Sequence, residues 1–315
     1  MALFPSRIVQ VATVPEVTWG VIPTSPTFQI ERFLPGDGLQ TKKGTQAIEE
    51  LHVDPNVRDH IQLKQDVDGS HDFILSYGTN GDLWWTRILR NGTWATNVLV
   101  NGMTRVPFTL EEKFLAGAAA GYRRFRGVEV DKAAIRFEAR KEVRATLSFV
   151  GQAENVAATA ALSGATYTAA ETNALSTGNT IVANAFMGLG TLPTLNSVEL
   201  DIDHGIQPVE ALGSLYRADQ LPDLTRVTGK ITGFILAASP GDVTDLSLNH
   251  ASGDINFTVG SVANNKYTLD LPFVRITDAK VLGMGTSGAL RFEVDFAADY
   301  DSSTGGSIKV TRSVA

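Results

Sequence analysis

A side-chain period of two, repeated along the chain, narrows the fold more than any other feature. Between Glu142 and Val150, residues Val143, Ala145, Leu147 and Phe149 alternate with Glu142, Arg144, Thr146 and Ser148. Leu290, Phe292, Val294 and Phe296 alternate with Arg291, Glu293 and Asp295. Val198, Leu200 and Ile202 alternate with Glu199, Asp201 and Asp203, and Tyr267, Leu269, Leu271 and Phe273 repeat the pattern. One apolar and one polar face at this period is the signature of half-buried antiparallel strands. Turn signals punctuate them at Asp68-Gly69, Asn80-Gly81, Asn91-Gly92, Asn101-Gly102, Pro240-Gly241 and Ser252-Gly253. The expected class is all-β, an antiparallel β-sandwich or partial barrel with one short helix.

That helix is expected over Asp82–Arg90, where Trp84, Trp85, Ile88 and Leu89 share a helical face after a cap at Asn80 or Asp82. Its aromatic residues Trp84 and Trp85, with Ile88, read as packing against a sheet rather than as a ligand platform. Thr109-Leu-Glu-Glu112 has the spacing of a capping box and leaves a second helix open, although Gly117 and Gly121 weaken it.

Residues 1–40, punctuated by Pro15, Pro23, Pro26 and Pro35, read as an extended N-terminal arm, and 41–315 as one β domain. Within that domain, about 155–195 is rich in Ala, Thr, Asn and Gly and reads as a surface excursion. Short echoes flank it. Val67-Asp-Gly69 with Phe73-Ile-Leu75 returns as Val227-Thr-Gly229 with Phe234-Ile-Leu236. Val128-Glu-Val-Asp-Lys-Ala133 returns as Val274-Arg-Ile-Thr-Asp-Ala279, and Leu147-Ser-Phe149 as Val294-Asp-Phe296. They suggest pseudo-repeats over about 60–152 and 197–300.

Catalytic patterns are missing. Gly283-Met-Gly285-Thr-Ser-Gly288 matches a dinucleotide fingerprint in form, but an alternating strand follows where a helix would have to start. A hairpin loop is the simpler reading. His52, His60, His71, His204 and His250 are scattered, and Asp201-Ile-Asp203-His204 reads as one strand's polar face and its turn rather than a metal site. Asp66-Val-Asp68-Gly69 begins like a calcium loop without the later ligands. No Gly-x-Ser-x-Gly elbow or phosphate-loop lysine is present. No cofactor, metal or enzymatic activity is expected. With no cysteine, disulfides and thiol chemistry are excluded.

Charge speaks to partners: 27 Lys+Arg against 34 Asp+Glu leave −7, which disfavours a protein that grips nucleic acid but not one that lets it pass. No apolar run has the length of a membrane helix, and Met1–Arg7 lacks the pattern of a secretory signal.

A collinear series over roughly residues 11–310 resembles the major tail tube protein of long-tailed, non-contractile bacteriophages. It comprises Glu16-Val-Thr-Trp-Gly20-Val-Ile-Pro23, Gly69–Tyr77, Asp82-Leu-Trp-Trp85 with Trp94, Pro107–Lys113, Phe125–Val130, Leu147–Gly151 and Leu271–Val274. The resemblance implies a structural virion subunit that forms stacked rings, hexameric by family habit, with strands of neighbouring subunits joined in a barrel around a DNA-conducting lumen. A trimer of chains, each holding two units, is the alternative if the repeats are real. Implied partners are further copies of the chain, a tape measure protein and tail terminator and distal tail proteins, with duplex DNA in transit during genome ejection. The implied places are the phage tail and, during assembly, the host cytoplasm.

Within that reading, acidic strand faces are the candidate lumen residues: Glu138 and Glu142, Glu199, Asp201 and Asp203, or Glu293 and Asp295. Each set reads equally as a solvated outer face. Pro15, Glu16, Trp19, Pro23 and Pro26 read as an inter-ring arm or as a tail lying on its own subunit. Two other classes stay open, namely another self-associating β structural protein, such as a fibre, pilus-like or capsid-decorating subunit, and a carbohydrate-binding sandwich.

Overall fold

The computed structural model describes residues 9–116, 119–187, 194–235, 245, 248–260, 262–283 and 288–313. Its first half holds β1 (Val9–Pro15), β2 (Thr27–Ile30), β3 (Gly38–Ala47), β4 (His60–Ile74), helix α1 (Thr79–Ile88), β5 (Val98–Val100) and β6 (Phe108–Ala116). β7 (Ala119–Glu138), β8 (Arg144–Gly151), β9 (Ala153–Ala158), β10 (Thr166–Thr168) and β11 (Ile181–Phe186) follow. The remainder holds β12 (Thr194–Asp203), β13 (Gln207–Val209), β14 (Asp219–Leu221), β15 (Arg226–Phe234) and β16 (Ser252–Val259), then β17 (Lys266–Leu282), β18 (Arg291–Ala298) and β19 (Lys309–Ser313).

One antiparallel layer runs β3-β4-β8-β7-β12-β15-β18-β17. The long strands β7 and β17 leave this layer at their N-terminal halves and enter a second one. There β7 is flanked by β6 and β9, with β1 beyond β6. In the same way β17 is flanked by β16 and β19, with β11 beyond β16. Bulges make the change of layer possible, because an extra residue bends a strand. They lie between Val130 and Lys132 in β7 and between Ile276 and Asp278 in β17.

The two halves share more than strand order. β4 meets β8 from Val67↔Gly151 to Ile74↔Arg144, and β15 meets β18 from Val227↔Ala298 to Phe234↔Arg291. The β6/β7 register shifts between Phe108 and Leu110, and the β16/β17 register between Gly253 and Ile255. A Cβ on Gly69 would lie 2.3 Å from the Gly38 carbonyl oxygen, and one on Gly229 2.3 Å from that of Glu199. Among the described residues the sheet does not close on itself into a barrel.

The layers pack through the apolar faces that the period of two marks out. Phe108 meets Phe149 edge-on at 5.7 Å, Phe137 meets Phe257 at 4.9 Å, and Phe186 lies 6.3 Å from Phe292. Helix α1 is wedged between the halves. Trp84 sits among Phe33, Phe73, Phe108 and Phe149, while Trp85 reaches Tyr267 at 6.0 Å. Trp84, Trp85 and Ile88 are all buried. No helix of the described residues is long and apolar enough to cross a membrane.

Several expectations change. Helix α1 begins three residues before Asp82, because its N-terminus is held from outside: the Asn80 N–H donates to Glu171 Oε1 at 2.9 Å, and no side chain caps it locally. Arg90, at φ 48°, ends it in the left-handed conformation. Thr109–Glu112 is strand β6, since Thr109 and Leu110 are buried between β1 and β7. From residue 9 onward the N-terminal segment is tied into the second layer through β1 and β2. Its prolines suit this, because Pro15 ends a strand while Pro23, Pro26 and Pro35 lie outside strands, where no ladder N–H is needed. The stretch 155–195 supplies β10, parallel to β2, and β11, whose Phe186 is in the core, so it is more than a surface excursion.

Three of the expected turns are also misplaced. Asp68-Gly69 lies inside β4, Ser252-Gly253 opens β16 and Asn80-Gly81 is helical, whereas Pro240-Gly241 falls outside the described residues. Gly69 is required by close approach of the β3 backbone instead. Leu290 precedes β18 and is exposed. Gly283 and Gly288, at φ 87° and 123°, lie between β17 and β18, in line with a hairpin; residues 284–287 are outside the described set.

Candidate functional site: a charged sheet face

The eight-stranded layer turns its second face away from the core, and the polar half of each alternation collects there. Strand register places Glu199 between Arg136 and Lys230, and Asp203 between Lys132 and Arg226. Lys230 in turn stands opposite Asp295, and Glu293 between Thr232 and Lys280. The acidic sets that the sequence offers as alternatives on β12 and β18 therefore share one face. Asp201 on that face stands between Ala134 and Thr228.

This face is a ladder of cross-strand ion pairs, not an acidic stripe. Lys132 Nζ lies 2.8 Å from Asp203, Arg136 3.0 Å from Glu199, and Lys230 2.9 Å from Glu293 and 3.5 Å from Asp295. At the β7–β8 turn, Glu138 pairs with Lys141, and Glu142 is 3.1 Å from Arg144. Partial burial pushes the Asp203 carboxyl up, but Lys132 and the Gly205 N–H outweigh it and the group lies below its ordinary value. The Glu142 carboxyl is likewise lowered, by its own backbone N–H and by Arg144. Exposed pairs of this kind are each worth about 0–1 kcal/mol, so their effect is on surface potential and register more than on stability.

Two edges of the layer are open among the described residues. β3 pairs with no strand but β4, although on its other edge the Leu39 N–H donates to the Glu112 carboxylate. Past Arg275, β17 pairs with β18 on one side, and residues 278–282 have no strand partner on the other. An open edge offers a row of backbone donors and acceptors to another chain.

The residues considered for an inter-ring arm pack on their own subunit. Pro15 stands opposite Phe108. The Glu16 carboxylate is buried and accepts from Thr109 Oγ1 at 2.6 Å and from the Gly20 and Gly127 N–H groups at 2.7 and 2.9 Å. Burial nevertheless holds its pKa above the ordinary value. Trp19 donates Nε1–H to the Gly127 carbonyl at 3.1 Å and lies beneath the Arg105 guanidinium. Pro23 and Pro26 line a shallow cavity with Arg126 and Leu162, and the Pro26 carbonyl accepts from the Thr166 N–H.

Buried polar groups that sequence reasoning missed form structural pairs between distant segments. Glu31 accepts from Thr13, Asn80 and Trp84, at 2.5, 2.7 and 3.0 Å, and faces Arg87, which is stacked between the rings of Trp84 and Phe108. Glu129 binds Arg90 and Arg105, and Glu111 binds Arg124. Asp66 and Asp68 hold Arg217 at 3.2 and 2.8 Å, which explains the resemblance to a calcium loop without a metal. Glu111 and Arg124 face each other across the β6–β7 hairpin, but the other partners lie tens of residues apart, where no local signal could reveal them.

His204 turns away from Asp203 into the core. Its Nε2 bonds the Ile88 carbonyl at 2.8 Å and Nδ1 the Thr225 hydroxyl at 3.0 Å, so Asp201, Asp203 and His204 do not converge. Burial lowers His204 to about 4. Among the described residues, no three His, Asp or Glu side chains are arranged to hold a metal.

An antiparallel sheet with a charged, ion-paired face and two open edges is suited to assembly rather than to holding a small ligand. No curated protein matches the chain. A family model described as phage tail tube protein matches residues 6–307, nearly the full length. The chain belongs to the phage tail tube protein family.

Proposed function

We propose that this chain is the tube-forming subunit of a long, non-contractile phage tail, assembling into stacked rings whose lumen conducts duplex DNA during ejection. The observation that carries this reading is the eight-stranded layer, charged on one face and open at both edges. Joining open edges between copies satisfies their backbone groups and continues the layer around an axis. The interface is heterologous, one edge meeting a different edge, and such contacts generate closed rings when the rotation closes.

The ion-paired face is assigned to the lumen. Cations there are already engaged by Glu199, Asp203, Glu293 and Asp295, so a passing phosphate backbone meets few free positive charges. Nucleic acid then moves along the bore without being held. Ring stacking falls to surfaces outside the layer. Glu16, Gly20 and Pro26 are buried in their own subunit, while Val17 and, in the loop joining β3 and β4, Leu51 and Val53 are fully exposed. Contacts with a tape measure protein in the lumen and with terminator and distal tail proteins at the tube ends belong to the same reading, with the virion as its final location.

Electron microscopy of the purified protein tests the proposal. Rings or tubes of uniform width with an axial channel are expected. A monodisperse monomer across salt and concentration, or fibres without a channel, overturns it.

A further inference from the structure

We infer that the ring closes with three copies of this chain, the C-terminal half of β17 in one copy pairing antiparallel with β3 of the next, with Asp278 opposite Lys42. The inference rests on the tube reading and adds to it the number of chains, the joining edges and their register.

Its basis is the equivalence of the two halves. The set β3, β4, β7, β8 and the set β12, β15, β17, β18 pair in the same order. Registers also agree. Thr41↔Val67 in the first half corresponds to Ile202↔Val227 in the second, Val130↔Phe149 to Ile276↔Phe296, and Lys132↔Ser148 to Asp278↔Asp295. Bulges fall at matching positions in β7 and β17. Each half is therefore one copy of a four-stranded unit.

The chain already contains one junction between such units. β7 of the first pairs with β12 of the second, through Lys132↔Asp203, Ala133↔Ile202, Ala134↔Asp201, Ile135↔Leu200 and Arg136↔Glu199. The counterpart of β7 in the second unit is β17, and the counterpart of β12 in the first is β3. These are the two edges left open. Transferring the in-chain register gives Asp278 opposite Lys42, Ala279 opposite Thr41, Lys280 opposite Gln40, Val281 opposite Leu39 and Leu282 opposite Gly38.

Side-chain chemistry agrees with that register. Ala279, Val281 and Leu39 fall on the core-facing side, continuing the apolar layer made by Ala133, Ile135, Ile202 and Leu200, with Thr41 beside them donating its hydroxyl to Glu154. On the charged face, Lys132 against Asp203 becomes Asp278 against Lys42, an ion pair of reversed sense. Both groups are accessible, with side chains 48% and 72% exposed. Within one chain Asp278 pairs with the neighbouring Lys280 at 2.8 Å, and Lys42 lies 3.9 Å from Asp68.

Bore width excludes two copies, and three is the smallest number that admits a duplex. Eight strands per chain give 24 in three copies, and strands about 4.8 Å apart with tilts up to about 45° put the backbone at a radius of roughly 18–26 Å. Allowing about 5 Å for inward side chains leaves a bore of roughly 26–42 Å. That admits a B-form duplex roughly 20 Å across with its hydration. Two copies leave roughly 15–25 Å, too tight for a hydrated duplex, and six leave more than about 60 Å. Sixfold character then belongs to the units, six in a ring of three chains.

The chain has no cysteine, so a disulfide can report the junction directly. The full-length double variant Lys42→Cys/Asp278→Cys, oxidised after assembly, is expected to give a non-reducing ladder that ends at a closed trimer. Each single variant is expected to stay monomeric on the gel, as is the register control Lys42→Cys with Leu282→Cys. A ladder that continues to six chains overturns the number. Rings visible by microscopy, with the control cross-linking and the double variant not, overturn the register and leave the tube reading intact. The charge pair gives an independent check: Lys42→Asp should reduce ring formation at low salt at least several-fold, and adding Asp278→Lys should restore it. Failure of restoration in a folded double variant overturns the pairing. If the wild-type protein forms no ring at all, it is the tube reading that fails.

Discussion

Glu31 offers a direct test of how the first half is held to helix α1. The Glu31→Gln substitution keeps the shape and removes the charge that Thr13, Asn80 and Trp84 donate to and that faces Arg87 at 3.9 Å. Burial pushes the Arg87 guanidinium down to about 10, with Glu31 acting in the opposite direction. Breaking a buried pair costs about 3–5 kcal/mol, because the surviving charge is left without compensation. The pair here is long, so the lower end applies, and the amide must also turn its NH2 toward a donor. We expect about 3 kcal/mol. Arg87→Met should cost less, about 1–2 kcal/mol, since Glu31 keeps three donors and the thioether can still fill the space between Trp84 and Phe108. The double variant should be less destabilised than the sum by about 2 kcal/mol. Urea unfolding followed by tryptophan fluorescence reads all three, with Trp84 and Trp85 as buried reporters. An additive cycle, or a Glu31→Gln cost under about 1 kcal/mol, refutes the account.

Four further outcomes follow from the same structure. Gly69→Ala and Gly229→Ala should each destabilise by roughly 1–3 kcal/mol in thermal melts, because a Cβ meets a facing carbonyl oxygen at 2.3 Å in both places; an unchanged melt at either contradicts this. Burial holds His71 and His204 at about 4, below their unfolded value, so the stability they contribute is complete above about pH 6.5 and is lost as pH falls toward 4. Each is worth up to about 3 kcal/mol over that window, and His204→Gln should flatten the acid limb of the pH–melting curve. Glu112, raised to about 7 by burial, acts oppositely: its contribution is complete below about pH 4.5 and is lost as pH rises through about 7, so Glu112→Gln should flatten the neutral limb. Leu51→Ser with Val53→Ser should leave single rings and shorten or abolish tubes in micrographs; unaltered tubes would remove that loop from the stacking contact.

The sequence exposes strands wherever one face is apolar and the other charged, and β8, β12 and β18 lie where the alternation places them. It hides strands built from small or mixed side chains. β6 begins with a capping-box pattern, and β11 mixes small and large residues without a clean alternation, yet each is held by partners on neighbouring strands. Glycine misleads for a related reason. At Gly69 and Gly229 the missing Cβ serves the approach of an adjacent strand rather than a turn, and only the fold reveals which. Glu171 as the outside partner of α1, Arg217 on Asp66 and Asp68, and Arg87 beneath Glu31 are products of chain crossing that no local spacing encodes. The charged face was legible as separate acidic stripes. Its near neutrality was not, because the cations sit on strands that become neighbours only after pairing.

The in-chain pair of Lys132 with Asp203 also bears on errors of assembly. Because its counterpart runs in the opposite sense, a neighbour docked through the wrong half would set Lys132 against Lys42, or Asp278 against Asp203. Like charges directly opposite on adjoining strands are destabilising. The reversal thus discriminates against exchange of halves between chains, a hazard for any protein built from two interchangeable units, and leaves each edge with one permitted mate.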